Sequence, residues 1–223
     1  MRTYCVGDVH GMSGLLRQAL AFIAVDAKDK PARVIFLGDY VDRGPDAKGV
    51  LDLLMAGPTN PRHVWTALKG NHDHLMADAL AGDELALINW LHNAGLTTLG
   101  SFGLSLFDWE RIPQPYRAFL ASLPLWAEDE QRIYVHAGLR PGVALERQDP
   151  QDLLWIREPF LGADHDFGRL VVHGHTPVAH PEYRPPYRLN LDTGAVFRGG
   201  QLTVAVWDEG CTEPRFWQTR AVR

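Results

Sequence analysis

Cysteine is nearly absent: the 223 residues hold two, Cys5 and Cys211, far apart and without metal-ligand spacing. No disulfide framework can be built from them, which fits a reducing compartment. Cys5 lies in an apolar stretch, where it reads as a small core residue. Missing too is any apolar run near the roughly 18 to 20 residues that cross a bilayer. Met1-Arg2-Thr3 runs straight into a strand-like stretch, so no secretory leader is expected. Nor is there an excess of basic charge, since 22 Lys+Arg face 27 Asp+Glu for a net charge of -5. That balance argues against non-specific binding to nucleic acid or to anionic membranes. Repeats, low-complexity tracts and domain linkers are lacking as well. What remains, at 46% hydrophobic and 22% charged residues, is the composition of an ordinary globular chain. A single cytoplasmic α/β domain over residues 1–223 is expected, with no nucleic-acid or membrane partner; its oligomeric state is not legible.

Along the chain, Thr3–Val6, Val34–Leu37 and His63–Leu68 read as buried strands. Helical spacing covers Ser13–Val25, and a second helix runs from Asp46 to Met55 before Gly57-Pro58. This is the βαβαβ rhythm of a parallel, layered sheet. The pattern then changes. Asp83–Asn93 looks helical with Leu85, Ile88, Trp90 and Leu91 partly on one side, Gly95–Asp108 reads as irregular loop, and Pro115–Leu123 as a short helix. This insertion, about residues 83–130, either covers an edge of the site and selects substrate or is a packing layer. Further strands are expected at Ile133–Val135 and Leu170–Val172, and a short helix at Asp152–Arg157 carrying Arg157 inward. Arg188–Asp192 and Leu202–Val206 are read as a closing pair of strands joined through Gly199-Gly200.

The central stretch is Gly38-Asp39-Tyr40-Val41-Asp42-Arg43-Gly44, at the carboxyl end of a strand. Open α/β sheets place ligands there. Two carboxylates and an arginine bracketed by glycines suit a cation and a phosphate. Alone, the stretch fits equally well an ordinary strand-to-helix turn with an aspartate cap. It is not alone, because Asp8 and His10, Asp39, Asn71 and His72, His136, and His175 all follow apolar strands beside glycine. Mixed carboxylate, imidazole and amide donors suit first-row transition ions better than magnesium or calcium alone. So many donors exceed one tetrahedral site and fit two ions about 3.5 to 4 Å apart sharing a carboxylate.

Gly7-Asp8-Val9-His10-Gly11, Gly38 to Gly44 (GDYVDRG), Gly70 to Asp73 (GNHD), His136-Ala137-Gly138 and Gly174-His175-Thr176 resemble, in order, the motifs of PPP-type phosphoprotein phosphatases. That family belongs to the calcineurin-like metallophosphoesterases. Trp90–Gly103, Asp152–Glu158 and Asp192–Ala195 further resemble its compact bacterial members. The resemblance implies a sandwich of two mixed β-sheets flanked by helices. It implies two divalent transition-metal ions, manganese foremost, with iron or zinc also suited. Asp8 and His10 would bind one ion, Asp39 would bridge, and Asn71, His136 and His175 would bind the other. A metal-bridging hydroxide would attack a phosphoserine or phosphothreonine in line. His72, oriented by Asp42, would act as general acid. Arg43, Arg157, Asn71 and His72 would hold the phosphate, Arg157 resting only on the Trp155-Ile156-Arg157-Glu158 string. The alternative for Arg157 is a surface helix arginine. His173 reads as support for the site or as plain packing, and the tryptophans as core.

Asp73 departs from the pattern, standing where the phosphoprotein phosphatases usually carry glutamate. Symmetrical diadenosine tetraphosphate hydrolases of the same family resemble the chain more closely at this point. GDYVDRG and Gly174-His175-Thr176-Pro177 favour the bacterial protein phosphatases instead. Metallo-nucleases and cyclic phosphodiesterases normally end in Gly-His-x-His, whereas Pro177 occupies the last position here. A non-catalytic binding module predicts a missing ligand or acid, and none is missing.

Overall fold

The computed structural model describes residues 1–220; the last three positions of the expected 1–223 domain lie outside the described residues. Two five-stranded sheets form the frame. In the first, β1 (Arg2–Val6), β2 (Ala32–Phe36) and β3 (His63–Ala67) run parallel, and β9 (Thr203–Trp207) and β10 (Arg215–Gln218) extend it antiparallel beyond β1. In the second, β5 (Arg132–Val135), β6 (Leu170–His173) and β8 (Arg188–Asn190) run parallel. The antiparallel strands β4 (Trp126–Glu128) and β7 (Glu182–Arg184) edge that sheet.

Side-chain alternation sorts the strands between two apolar layers. Tyr4, Val6, Val34 and Phe36 face α1 (Ser13–Ala27) and α2 (Ala47–Ala56), while Cys5 and Ile35 turn the other way. There they meet Tyr134, Val172 and Leu189 of the second sheet. Ile133, Val135 and Val171 pack outward against Leu153 of α7 (Pro150–Trp155). Strands buried on both faces read as unbroken apolar runs, which is why their existence was plain from sequence.

Four readings are corrected. Arg188–Asn190 and Thr203–Trp207 do not pair: β8 joins β6 in one sheet and β9 joins β1 in the other. Gly95–Asp108 is not loop but holds α5 (Leu96–Ser101) and the start of a 3-10 turn over Leu106–Arg111. In α4 (Glu84–Trp90) the buried residues are Ala86 and Trp90, while Leu85 is 73% exposed. Finally, α7 stops at Trp155, Ile156 is extended, and Arg157 is exposed rather than carried inward. The insertion is completed by α6 (Gln114–Ser122), and α3 (Asn71–Leu80) opens directly on the GNHD motif. No helix among the described residues is long and apolar enough to cross a membrane.

Tyr40 ties the central loop to the sheet below it. Its buried hydroxyl donates to the Leu68 carbonyl at 2.7 Å, joining the ends of β2 and β3. Tyr40→Phe leaves that carbonyl without its partner, so stability should fall by about 1–3 kcal/mol. Chemical denaturation reads this directly, and an unchanged midpoint would refute the tie.

Candidate metal centre

The site is built where the parallel strands of both sheets end. Beyond β1 lie Asp8 and His10, beyond β2 the Asp39–Arg43 loop, and beyond β3 Asn71 and His72 in the first turn of α3. From the second sheet come His136 after β5 and His175 after β6. Hydrogen bonds lock the loops together: Asp39 O accepts from the backbone N–H of Val9 and His10, and the Gly174 N–H donates to His136 O. Gly174 must lack a side chain, since a Cβ there would stand 2.0 Å from Asp8 Oδ1. Gly70 is similarly constrained, its Cβ position lying 2.2 Å from Asp39 N and from Asp39 Oδ1. Among the described residues, seven non-glycines have positive φ, and five of them are His10, Asp39, Asp42, Arg43 and His175. Such backbone costs on the order of 1–3 kcal/mol each and persists only where surroundings enforce it.

Asp39 is the hub. Its Oδ2 lies 3.2 Å from His10 Nε2 and its Oδ1 3.5 Å from His136 Nε2. Both imidazoles spend Nδ1 on backbone carbonyls, His10 on Val41 O at 3.0 Å and His136 on Leu37 O at 2.9 Å. A neutral ring that donates from Nδ1 presents a lone pair at Nε2. Each Nε2 therefore turns its lone pair to the side of an Asp39 oxygen, an arrangement suited to a cation, and at His10 the Arg43 guanidinium stands against that nitrogen. Asp8 Oδ1 and His175 Nε2 are buried without a hydrogen-bond partner, as metal-binding atoms would be. By distance, Asp39 shares one trio with His10 and His72 and another with Asp8 and His136, the ligand atoms within 4.8 Å in each. The trios cut across the division the resemblance implies, which groups Asp8 with His10; Asp39 is common to both. Asn71 Oδ1 lies 2.8 Å from His136 Nε2 and 2.9 Å from His175 Nδ1. Residues and environment thus fit metal ions.

The electrostatics follow from burial. Asp8 is pushed well above the usual carboxylate range by burial, then by the charges of Asp192 and Asp39. Burial acts on Asp39 in the same sense, but His136, His72 and His10 overcome it and hold Asp39 well below that range. Burial also lowers His136, and takes His173 and His175 down to about 3. For His72, burial opposes the charged ring, yet Asp39 and Asp42 raise it above its ordinary value. Its Nδ1 lies 2.8 Å from Asp42 Oδ2, while its Nε2 has no hydrogen-bond partner among the described residues.

Asp73 is not aimed at the site. Its carboxylate accepts from the backbone N–H groups of Asp39 at 2.8 Å, Gly70 at 2.9 Å and Tyr40 at 2.9 Å. Burial, with the charge of Asp39, pushes it up to about 7. His173 packs edge-on to Phe160 at 4.9 Å, its Nε2 buried and unpaired. Arg43 Nη1 stands 2.7 Å from His10 Nε2. Arg157 makes no side-chain hydrogen bond or ion pair among the described residues, and its charge contributes to lowering His175. Sequence reasoning missed Asp192, whose Oδ1 accepts from Gly194 N, and Trp155, which is half-buried and 6.0 Å from His175 rather than in the core. Neither carried a local signal beyond the bacterial resemblance.

The family model for calcineurin-like phosphoesterases matches residues 1–204. The chain belongs to that family. This phosphoesterase is similar to serine/threonine-protein phosphatase 1 of Salmonella typhimurium, 31% identical with 91% of this chain and 90% of that protein covered. It is also similar to the bis(5'-nucleosyl)-tetraphosphatase PrpE [asymmetrical] of Anoxybacillus flavithermus, 26% identical over 92% of this chain and 89% of the relative. The crystal structure of a candidate diadenosine tetraphosphatase superposes with TM-score 0.72 at 24% identity, covering 99% and 93% of the two chains. The two-sheet sandwich expected from the motifs is thus the fold of the family.

Two substitutions separate the hub from its support. Asp39→Asn should impair metal retention in equilibrium dialysis, and normal metal content would rule out Asp39 as a ligand. Asp73→Asn faces one donor with another and should cost about 1–3 kcal/mol of stability. An unperturbed denaturation midpoint would show that the three bonds are dispensable.

Proposed function

We propose that this phosphoesterase is a single-domain, dinuclear metal-dependent phosphomonoesterase acting on phosphoserine or phosphothreonine in a protein. The reading is carried by one observation, the Asp39 carboxylate with one oxygen towards His10 and the other towards His136. A shared ligand of this kind suits a pair of ions, with Asp8 and His10 on one side and Asn71, His136 and His175 on the other. Manganese, iron or zinc matches these donors. Bound there, such ions supply an activated water and draw charge from the phosphoryl oxygens.

The chain's own groups do the rest. Arg43 and Arg157 are exposed beside the buried cluster, where their planar forks can take the outer phosphate oxygens. Asn71 and His72 complete the phosphate's surroundings. Asp42 accepts the Nδ1–H hydrogen bond of His72, so Nε2 is the atom that gives a proton to the departing alkoxide. Asp73, the residue that had favoured a dinucleotide, spends its carboxylate on three backbone N–H groups, which supports a role in holding the loop rather than in facing a substrate.

A second reading, a dinucleoside polyphosphate hydrolase, is supported by the relatives named bis(5'-nucleosyl)-tetraphosphatase, which are of the asymmetrical kind and not the symmetrical one that Asp73 suggested. Metal-stripped protein reloaded with manganese and given phosphothreonine peptide, phosphotyrosine peptide and diadenosine tetraphosphate tests both. Faster phosphate release from phosphothreonine supports the phosphatase. A far higher kcat/KM on the dinucleotide overturns it, and the products, two ADP or ATP with AMP, then tell central from off-centre cleavage. His72→Asn should lower kcat by roughly 10²- to 10⁴-fold with metal content preserved. Loss of metal in that variant would assign His72 to the ions instead.

A further inference from the structure

The buried carboxylate of Asp42 meets three donors. His72 faces Oδ2, while Oδ1 accepts from Trp90 Nε1 at 2.9 Å and from Thr98 Oγ1 at 2.6 Å. The same Thr98 hydroxyl accepts from the Asp42 backbone N–H at 2.8 Å. One hydroxyl thus holds both the side chain and the backbone of a residue at φ 67°. Asp42, Trp90 and Thr98 are all wholly buried, so water cannot substitute for any of these bonds.

A carboxylate free to turn about its terminal bond can offer either oxygen to an imidazole. With Oδ1 occupied by two donors, only Oδ2 is left for His72. An ionised carboxylate accepts and never donates, so Nδ1 carries the proton and Nε2 is turned to the site. The insertion is shaped to bring both donors to one oxygen. Ala94, at φ 75°, breaks the chain between α4 and α5 and folds Thr98 back beside Trp90. Gly95 lies against the indole, where a Cβ would come within 2.8 Å of a ring carbon. Ser101, one turn on from Thr98, accepts from Lys48 N at 3.0 Å and ties α5 to α2.

We infer that Trp90 and Thr98 are positioning residues: they fix Asp42 so that His72 Nε2 meets the departing oxygen of the substrate. This rests on the reading of His72 as proton donor. On this inference the insertion, expected either to cover the site and select substrate or to be a packing layer, holds the group that orients the acid. In the proton's path, Nε2–H is lost to the leaving alkoxide as the P–O bond breaks. The Nδ1–H bond to Asp42 is retained.

Trp90→Phe and Thr98→Val each remove one donor, and Thr98→Ser restores the hydroxyl. Two substrates read the result: p-nitrophenyl phosphate, whose phenolate departs without a proton, and phosphothreonine peptide, whose alkoxide needs one. The expected outcome is a kcat about 10- to 100-fold lower on the peptide and within about threefold of the parent on the aryl ester. Thr98→Ser should recover the peptide rate. Equal losses on both substrates, or none, overturn the inference, and Trp90→Phe carries the test where Thr98→Val does not fold. A parent protein that prefers the dinucleotide defeats the substrate reading alone. The inference is then read by NMR on the metal-free protein, from the imidazole Nδ1 proton that His72→Asn removes. That proton should exchange faster with solvent in Trp90→Phe and Thr98→Val; an unchanged rate overturns the inference whatever the substrate.

Discussion

A buried carboxylate faced by the lone pairs of two imidazoles is the constraint on which the rest of the molecule depends. Asp39 is held in a left-handed backbone conformation, its N–H taken by Asp73 and its carbonyl by two N–H groups of the preceding motif. Its Oδ1 accepts from the His72 backbone N–H at 3.0 Å, which seats the first turn of α3. The strain of five left-handed side chains is sustained because each loop is bonded to its neighbour rather than to solvent.

The same logic explains the pKa pattern. Histidines kept neutral by burial and a carboxylate kept charged by its surroundings are the states in which all of them can act as ligands. His72 departs from the other rings, since two carboxylates favour its charged form. Within one cluster, then, most imidazoles are prepared to give an electron pair and one to give a proton. Asp39 pulls on His136 and His175 as well, and at His72 the Asp42 carboxylate adds to that pull.

Much of this was legible in the sequence because the chemistry sits on glycine-flanked strand ends, and such strands announce themselves as unbroken apolar runs. Asp8, His10, Asp39, Asn71, His72, His136 and His175 are brought together as their motifs imply. What escaped were relations between distant segments. Nothing local tells β8 from β9 as members of different sheets, since both are short apolar runs and their partners are chosen by packing. The α5 helix was hidden by Thr97, Thr98, Gly100 and Ser101, poor helix formers whose conformation is fixed by tertiary bonds from Thr98 and Ser101. Trp90 reads as core in sequence, and it is buried, but its indole N–H has a chemical duty that burial alone cannot reveal.

One feature of the frame reaches beyond the site. Asp8, Asp39 and Asn71 hang from one sheet and His136 and His175 from the other, while the seam between the sheets is filled by side chains such as Cys5, Ile35, Tyr134 and Leu189. Across it run direct hydrogen bonds as well, from His136 Nδ1 to Leu37 O and from His175 N to Asp8 Oδ2. A cation held by residues of both sheets would act as a rivet through the seam, joining the two halves at the site. Binding of a cation there would favour the assembled sandwich over the unfolded chain, so that closing the frame and filling the site would be linked.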